Sequence, residues 1–362
     1  MVYTDAEIAA ALVAPARRWS FRYERVTSTT TDLTVIDCSV AYNDLADGVQ
    51  RTCAVRLPDG SPFNILTDRF RPWARLLMPD GGWQEWCLGT FYLSTDTRRK
   101  AVAAGAGTQP LQGWDSTQLT LQDDKITDRF VAAAGASVVG TVRTILTDHQ
   151  MSLTAMPSST VTLPGALEWE PGTTWRKIIN DLLTSVNYRP LTSTPLGLPT
   201  TQAYVDPQTA GVLWAYRLDA SSVVRRGIDV TLDLFNVPNR WVAYVSEPDR
   251  APLRSVYTNA TIGDPLSTVG RGRTIVDVLN PQNTQAVDQT TLDQLVLRAA
   301  QDARSAFERV EFSTGLMPIF SGGDVVTLDL GDGPARYRSH TWEIELRAGG
   351  DMRHEMRRVV AL

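Results

Sequence analysis

Glu168 and Glu170 flank Trp169, and paired carboxylates beside an apolar wall are what glycoside hydrolysis requires, one protonated to donate and one ionised. The three residues precede Pro171-Gly172 on a stretch that alternates like a strand, so both carboxylates fall on one face and Trp169 on the other. A solvated face over a buried indole gives the same pattern, and exposed glutamates are common. The expectation is a structural role, with a cell-wall hydrolase using Glu168 or Glu170 as the alternative.

Nothing else in the chain assembles a reaction. The 3 histidines are His149, His340 and His354, and none has another His, Cys or carboxylate at metal-ligand spacing such as His-Glu-x-x-His. His149 ends a predicted helix, where the dipole favours a cation, and reads as a cap or core residue. His340 falls within a predicted strand and His354 near the start of another. Gly270-Arg271-Gly272-Arg273-Thr274 is glycine-rich and basic but too short, and outside a strand-to-helix context, for a phosphate loop; it reads as a flexible loop. Asp123 and Asp124 precede Lys125 without calcium-loop spacing. The 10 tryptophans could stack sugars in a carbohydrate-binding adhesion module, but Trp19, Trp73, Trp83 and Trp86 lie in strand patterns where burial is the ordinary explanation. No catalytic, cofactor-binding or metal-binding residue is expected, no cofactor is expected, and the chain reads as non-enzymatic.

Composition bounds the rest. The 362 residues are too many for one ordinary core and suggest roughly two to four domains. A net charge of -5 speaks against a nucleic-acid-binding domain. Arg336, Arg338, Arg347, Arg353, Arg357 and Arg358 could touch phosphate, but interleaving with Glu343, Glu345, Asp351 and Glu355 reads as solvated strand faces. Residues 1–14 lack a basic, apolar leader pattern, and no window suits a membrane span. Cys38, Cys53 and Cys87 are odd in number without metal spacing and read as reduced, half-buried thiols, although one pair could lie close in space.

The elements follow from period and punctuation. Thr4 and Glu7 have capping-box spacing, Ile8 and Leu12 share a face, and Pro15 ends the run. Trp19–Val26, 33–42 and 49–57 read as strands, Pro58-Asp59-Gly60 and Asp80-Gly81-Gly82 as turns, and 83–94 as a strand pair or one bent strand. Val138, Val142, Ile145, Leu146 and His149 fall at helical spacing; so do Trp175, Ile178, Ile179, Leu182, Leu183 and Val186, behind Thr173 and Thr174 as caps. Residues 190–201 form a loop, and Tyr204-Val205-Asp206 with Val212–Tyr216 a hairpin. A helix carries Leu292, Leu295, Val296, Ala299, Ala303, Ala306 and Phe307, with Thr291 and Gln294 as a second capping box. Strands at 310–312, 324–330, 337–346 and 354–361 then alternate with Gly331-Asp332-Gly333 and Gly349-Gly350-Asp351 turns.

Taken in order, these landmarks resemble the tail hub (minor tail or baseplate hub) proteins of siphophages, with the versions from phages of actinobacteria looking closest. The resemblance rests on Trp19-Ser20-Phe21-Arg22-Tyr23-Glu24, Asp68-Arg69-Phe70-Arg71-Pro72-Trp73 and Trp86-Cys87-Leu88-Gly89-Thr90-Phe91-Tyr92-Leu93. It continues in Gly113-Trp114-Asp115 with Leu119 and Leu121, in Trp169-Glu170-Pro171-Gly172-Thr173-Thr174-Trp175, and in Asp206, Gly211 and Val212. It ends in the long helix, the stretch from Phe312 to Pro318, and Gly323-Asp324-Val325-Val326. It implies a mainly β fold like the phage T4-type hub, two related antiparallel β-barrels with α/β inserts. The implied division is a first barrel over 1–108 with helix 4–14, an α/β insert over 109–218, a second insert and connecting helix over 219–305, and second-barrel strands over 306–362. The implied function is a trimeric ring that adapts a six-fold tail tube to a three-fold tip and lets DNA through without specific nucleic-acid binding, consistent with the acidic balance. The implied partners are two further copies of the chain, the distal tail or tail tube protein, the tape measure protein, and other tail-tip or receptor-binding proteins. The implied place is the virion tail tip, assembled in the host cytoplasm. Larger relatives carry a C-terminal enzyme or fibre region; with the sequence stopping at Leu362, the expectation is a minimal hub.

Overall fold

The computed structural model describes residues 3–46, 48–95, 107–219, 222–225, 227–246, 251–279 and 286–360. Helix α1 (Asp5–Val13) opens the chain, and the capping box forms: the Thr4 hydroxyl accepts from the Glu7 amide, and the Glu7 carboxylate accepts from the Thr4 amide at 2.8 Å. Strands β1 (Trp19–Val26), β2 (Thr30–Asp32), β3 (Asp37–Asn43), β4 (Arg51–Pro58), β5 (Arg69–Leu77), β6 (Trp83–Cys87), β7 (Phe91–Thr95) and β8 (Thr108–Asp115) follow. In β3, β4 and β5 every second residue points inward, so Val40 and Tyr42, Cys53 and Val55, and Phe70 and Ala74 line one core. The strand expected over 33–42 starts only at Asp37, because Leu33 drops into the core from the loop after β2 with its amide on the Tyr23 carbonyl. The stretch 83–94 is two strands that pair in turn with β5 and not with each other, interrupted at Gly89, whose φ of 153° puts it where a side chain would strike the Phe91 ring.

Next come α2 (Ser116–Asp123), β9 (Phe130–Ala132), α3 (Val138–Asp148), β10 (Leu167–Trp169), α4 (Trp175–Thr184), β11 (Thr192–Ser193) and β12 (Pro199–Thr200). Buried Asp115 caps α2, accepting from the Thr117 and Gln118 amides at 3.1 and 3.0 Å, while Ser137 and Thr174 cap α3 and α4. The apolar stripes of α3 and α4 face each other and enclose a separate small core with Leu121 and Trp169.

The remainder holds β13 (Val212–Tyr216), β14 (Asp229–Leu232), β15 (Arg240–Val245), β16 (Leu253–Thr258), α5 (Thr268–Arg271), β17 (Val276–Val278), α6 (Gln289–Ser305), β18 (Glu308–Thr314), β19 (Val325–Asp329), β20 (Pro334–Glu345) and β21 (Met352–Arg358). Strands β16, β15 and β17 make a small sheet whose Trp241, Ala243 and Val245 pack beneath Leu292, Leu295, Val296 and Ala300 of α6. Two expectations are corrected. The cap of α6 is Asp288, accepting from the Thr291 amide at 2.7 Å, and Thr291 itself is buried inside the helix. The expected hairpin at 204–216 does not form, because Val212–Tyr216 is taken up as a parallel partner by β19. The strand expected over 354–361 ends at Arg358, and Ala361 lies outside the described residues.

The principal sheet has 14 strands, along the path β14-β18-β21-β20-β3-β4-β8-β7-β5-β1-β2, with β19 and then β13 on β20 and β6 on β5. Strand β20 joins the two β-rich ends. Residues 334–338 of one edge pair with β19 and residues 341–345 of the same edge pair with β3, while the opposite edge pairs with β21. The register shifts between Ser339 and Thr341, so His340 is the bulged residue. One core runs across the junction, from Val40, Phe70 and Leu111 to Val310, Trp342 and Met356. The fold is mainly β, as expected, but no closed barrel is found among the described residues; the two ends hide their facing edges by sharing one sheet. No helix among them is long and apolar enough to cross a membrane.

Two predictions follow from this packing. Leu295→Ala should cost about 2–5 kcal/mol, because it opens a cavity under β15 and β16, and urea denaturation of the variant checks it. His354 is buried, stacked on Phe312 at 5.2 Å, with Nε2 3.0 Å from the Thr314 hydroxyl and Nδ1 without a partner. Burial lowers its pKa from 6.5 to about 3, so between those values the unfolded chain binds the extra proton and stability falls as the pH is lowered. His354→Phe should therefore lose about 2 kcal/mol less than wild type between pH 7 and pH 5, measured by denaturation at both values; equal losses would show that His354 protonates in the fold.

Candidate functional site

Where the first β strands, the α/β insert and the final strands meet, a cleft of about 380 Å³ opens beside the β20 bulge. Asp44, just past β3, is nearly buried there; it accepts from His340 Nδ1 at 2.7 Å and from Arg338 Nη2 at 3.3 Å. Burial alone would raise the Asp44 carboxyl, but the hydrogen bond and charge of His340, then Arg338 and Arg189, outweigh it and hold the pKa below its usual value. Arg338 also reaches Asp302 of α6 at 3.3 Å, so one guanidinium ties β20 to both the β3 turn and the helix. Arg298, one turn before Asp302, lies over the Tyr204 ring at 4.5 Å and donates to the Tyr188 carbonyl at 3.3 Å; burial pulls its pKa down.

The remaining cations of the cleft are less well matched. Arg51 enters from β4 with 5% of its surface exposed, and its Nε has no partner. Arg189 from the insert and Arg357 from β21 form no ion pair with any described residue, and Arg357 is the direct cross-strand neighbour of Arg338. The carboxylates lining the cleft are Asp44 and Asp302.

A second, larger cleft of about 1030 Å³ is lined by Trp73, Trp86, Trp214 and Trp342 beneath one face of α1. Of the tryptophans singled out in the sequence, Trp19 packs on Trp86 at 6.1 Å, Trp73 donates its indole N–H to Glu24 at 2.8 Å, and Arg75 covers Trp83. All four are half-buried, in keeping with their strand positions; Trp73 and Trp86 turn part of their surface to the larger cleft, and Arg22 and Arg75 lie over Trp73 and Trp83. The sheet ends at β14, where Val230 and Leu232 are exposed beside Leu234 and Phe235, and at β2, which is exposed throughout.

Glu168 is exposed and ion-paired with Arg129; Glu170 is exposed just beyond β10; and between them Trp169 is buried, donating to Asp181 at 2.8 Å. His149 caps α3, with Nδ1 2.7 Å from the Ile145 carbonyl, Nε2 2.9 Å from Asp124 and its ring edge-on to Trp175. The glycine-rich stretch at 270–274 is corrected from a flexible loop to the end of α5: Gly272 takes the left-handed cap, and Arg271 and Arg273 donate to the carbonyls of Phe235 and Val237. Cys38, Cys53 and Cys87 are free thiols, on strands β3, β4 and β6; burial raises all three, Cys87 to about 11. Among the described residues no cluster of His, Cys, Asp and Glu is suited to a metal ion. The sequence reading missed the Asp44–His340–Arg338 cluster, because Asp44 and His340 stand 296 positions apart.

No protein-family model and no curated protein matches the chain by sequence. Solved structures do match it by shape. The tail protein from Neisseria meningitidis MC58 superposes with a TM-score of 0.63 at 14% identity, covering 94% of this chain and 96% of that one. The 43 kDa tail protein of prophage MuSo2 from Shewanella oneidensis gives 0.63 at 10% identity over 94% and 98% of the two chains. Prophage tail protein gp18 from Listeria monocytogenes EGD-e gives 0.55 at 8% identity over 92% and 94%. From end to end, this chain has the fold of these tail proteins.

Proposed function

We propose that the chain is a structural, non-enzymatic subunit of a phage-type tail, namely the tail-tip or baseplate hub of a long-tailed phage of siphophage type. One observation carries the reading: the likeness to tail proteins spans 94% of this chain and 96% of the first of them, so it extends to the whole arrangement and not to one common domain. In this reading the units are the first β strands, the α/β insert, the second insert with α6, and the last strands. Three copies form a ring, which meets the six-fold tail tube on one side and the three-fold tip on the other, and DNA passes through its centre during ejection.

The free edges of the sheet support the assembly step. A head-to-tail contact that closes by rotation gives a cyclic ring, and exposed β14 and β2, at the two ends of the sheet's main path, are edges such a contact can join. The halves of the sheet on either side of the β20–β3 junction then act as the two related barrel-like units, presenting six similar surfaces to the tube. The neighbours are the distal tail or tail tube protein, the tape measure protein and receptor-binding or other tip proteins, in a virion assembled in the host cytoplasm.

Imaging of tail particles carrying a tag on this chain tests the proposal. The expected result is three copies in a ring at the tail tip; six copies, or one, would overturn the stoichiometry. A zymogram of the purified chain addresses the enzymatic alternative. No clearing of cell-wall substrate is expected, and clearing that disappears in Glu170→Gln would make the protein a hydrolase.

A further inference from the structure

Two of the arginines of the smaller cleft are held by partners within the fold. Arg338 is neutralised by Asp44 and Asp302, and Arg298 has a ring, a carbonyl and Asp302 around it. Arg51, Arg189 and Arg357 bring further positive charge into the same space, from β4, the insert and β21; Arg51 is near enough to feel Asp115, and Arg189 to feel Asp44 and Asp324, but none of the three closes an ion pair with a described residue. A chain with net charge -5 does not concentrate cations there by default. Like charges facing each other across strands, as Arg338 and Arg357 do, cost stability unless something lies between them. The backbone passes close to one of these side chains: a Cβ at Gly323, whose φ is 72°, would come within 2.5 Å of Arg189 Nη2.

We propose that this cleft is a binding site for a small phosphate-bearing anion of the pyrophosphate or phosphate-ester class. One bidentate arginine satisfies a planar carboxylate, whereas guanidinium groups converging from three separate elements suit an anion with oxygens on every side and more than one charge. A volume of about 380 Å³ exceeds a lone phosphate and lies in the small-ligand range. The bound anion would bridge the first strands, the insert and the last strands, and so fix their mutual placement.

Calorimetric titration of pyrophosphate into the full chain at low salt, with parallel thermal melting, tests the site in wild type, Arg189→Gln and Arg357→Gln. Wild type is expected to bind with one-site stoichiometry and to melt higher as pyrophosphate is added. Each variant should bind about tenfold or more weakly, and Arg357→Gln should without ligand melt at or above the wild-type temperature, since it removes the like charge facing Arg338 across the strands. Absence of heat and of a melting shift at millimolar pyrophosphate overturns the proposal, as does wild-type affinity in both variants. Lower melting of ligand-free Arg357→Gln would make that arginine structural and overturns it equally. An equal response to sulfate reduces the site to general charge attraction, and tighter binding of a short single-stranded oligodeoxynucleotide that displaces pyrophosphate assigns it to nucleic-acid backbone; either result rejects a small-molecule site.

Discussion

The molecule depends on one strand having two partners along a single edge. Strand β20 is 12 residues long, enough for β19 to occupy its first half and β3 its second. Without that pairing, β3 would present a row of unmet amides and carbonyls, and the first and last β regions would each carry an open edge. The bulge at His340 makes the change of partner possible, since an extra residue bends and twists the strand where β19 ends and β3 begins. Side chains reinforce the backbone: Trp342 and Tyr42 are direct cross-strand neighbours across the junction, with rings stacked 5.8 Å apart.

The arginine cleft is a by-product of the same geometry. The bulge turns His340 towards Asp44, and Arg338, two residues earlier, reaches the same carboxylate from the other side. A carboxylate as buried as Asp44 is tolerated only with such donors, so the charge cluster and the strand junction hold each other in place. The cleft then collects whatever the adjoining elements supply, a β4 arginine from one half of the sheet and a β21 arginine from the other.

What the sequence made legible is what is decided locally. Helices α3, α4 and α6 were readable because their apolar residues recur at helical spacing, and the Thr4–Glu7 box because both partners lie within one turn. The strands bounded by Gly331-Asp332-Gly333 and Gly349-Gly350-Asp351 were readable from their turns. The ordered landmarks also led to a tail-hub resemblance that agrees with the fold seen in solved tail proteins. What failed was decided at a distance. Turn residues at 207–211 promise a hairpin, but a partner more than a hundred positions downstream captures β13. Interleaved charges at the C-terminal end promise solvated faces, yet Arg338 and Arg357 line the cleft, because the bulge and the packing of α6 lie outside any local pattern.

The shared strand also sets an order of events on the ribosome. The first eight strands can pair among themselves soon after they emerge, but the outer edge of β3 has to wait for β20, whose bulged His340 is 296 positions beyond Asp44. Through most of translation the nascent chain therefore carries an adhesive edge, and long-range closures of this kind are slow as well as exposed to mispairing. The last strands act as a latch, and a polypeptide interrupted before β20 keeps the sticky edge that β20 otherwise covers.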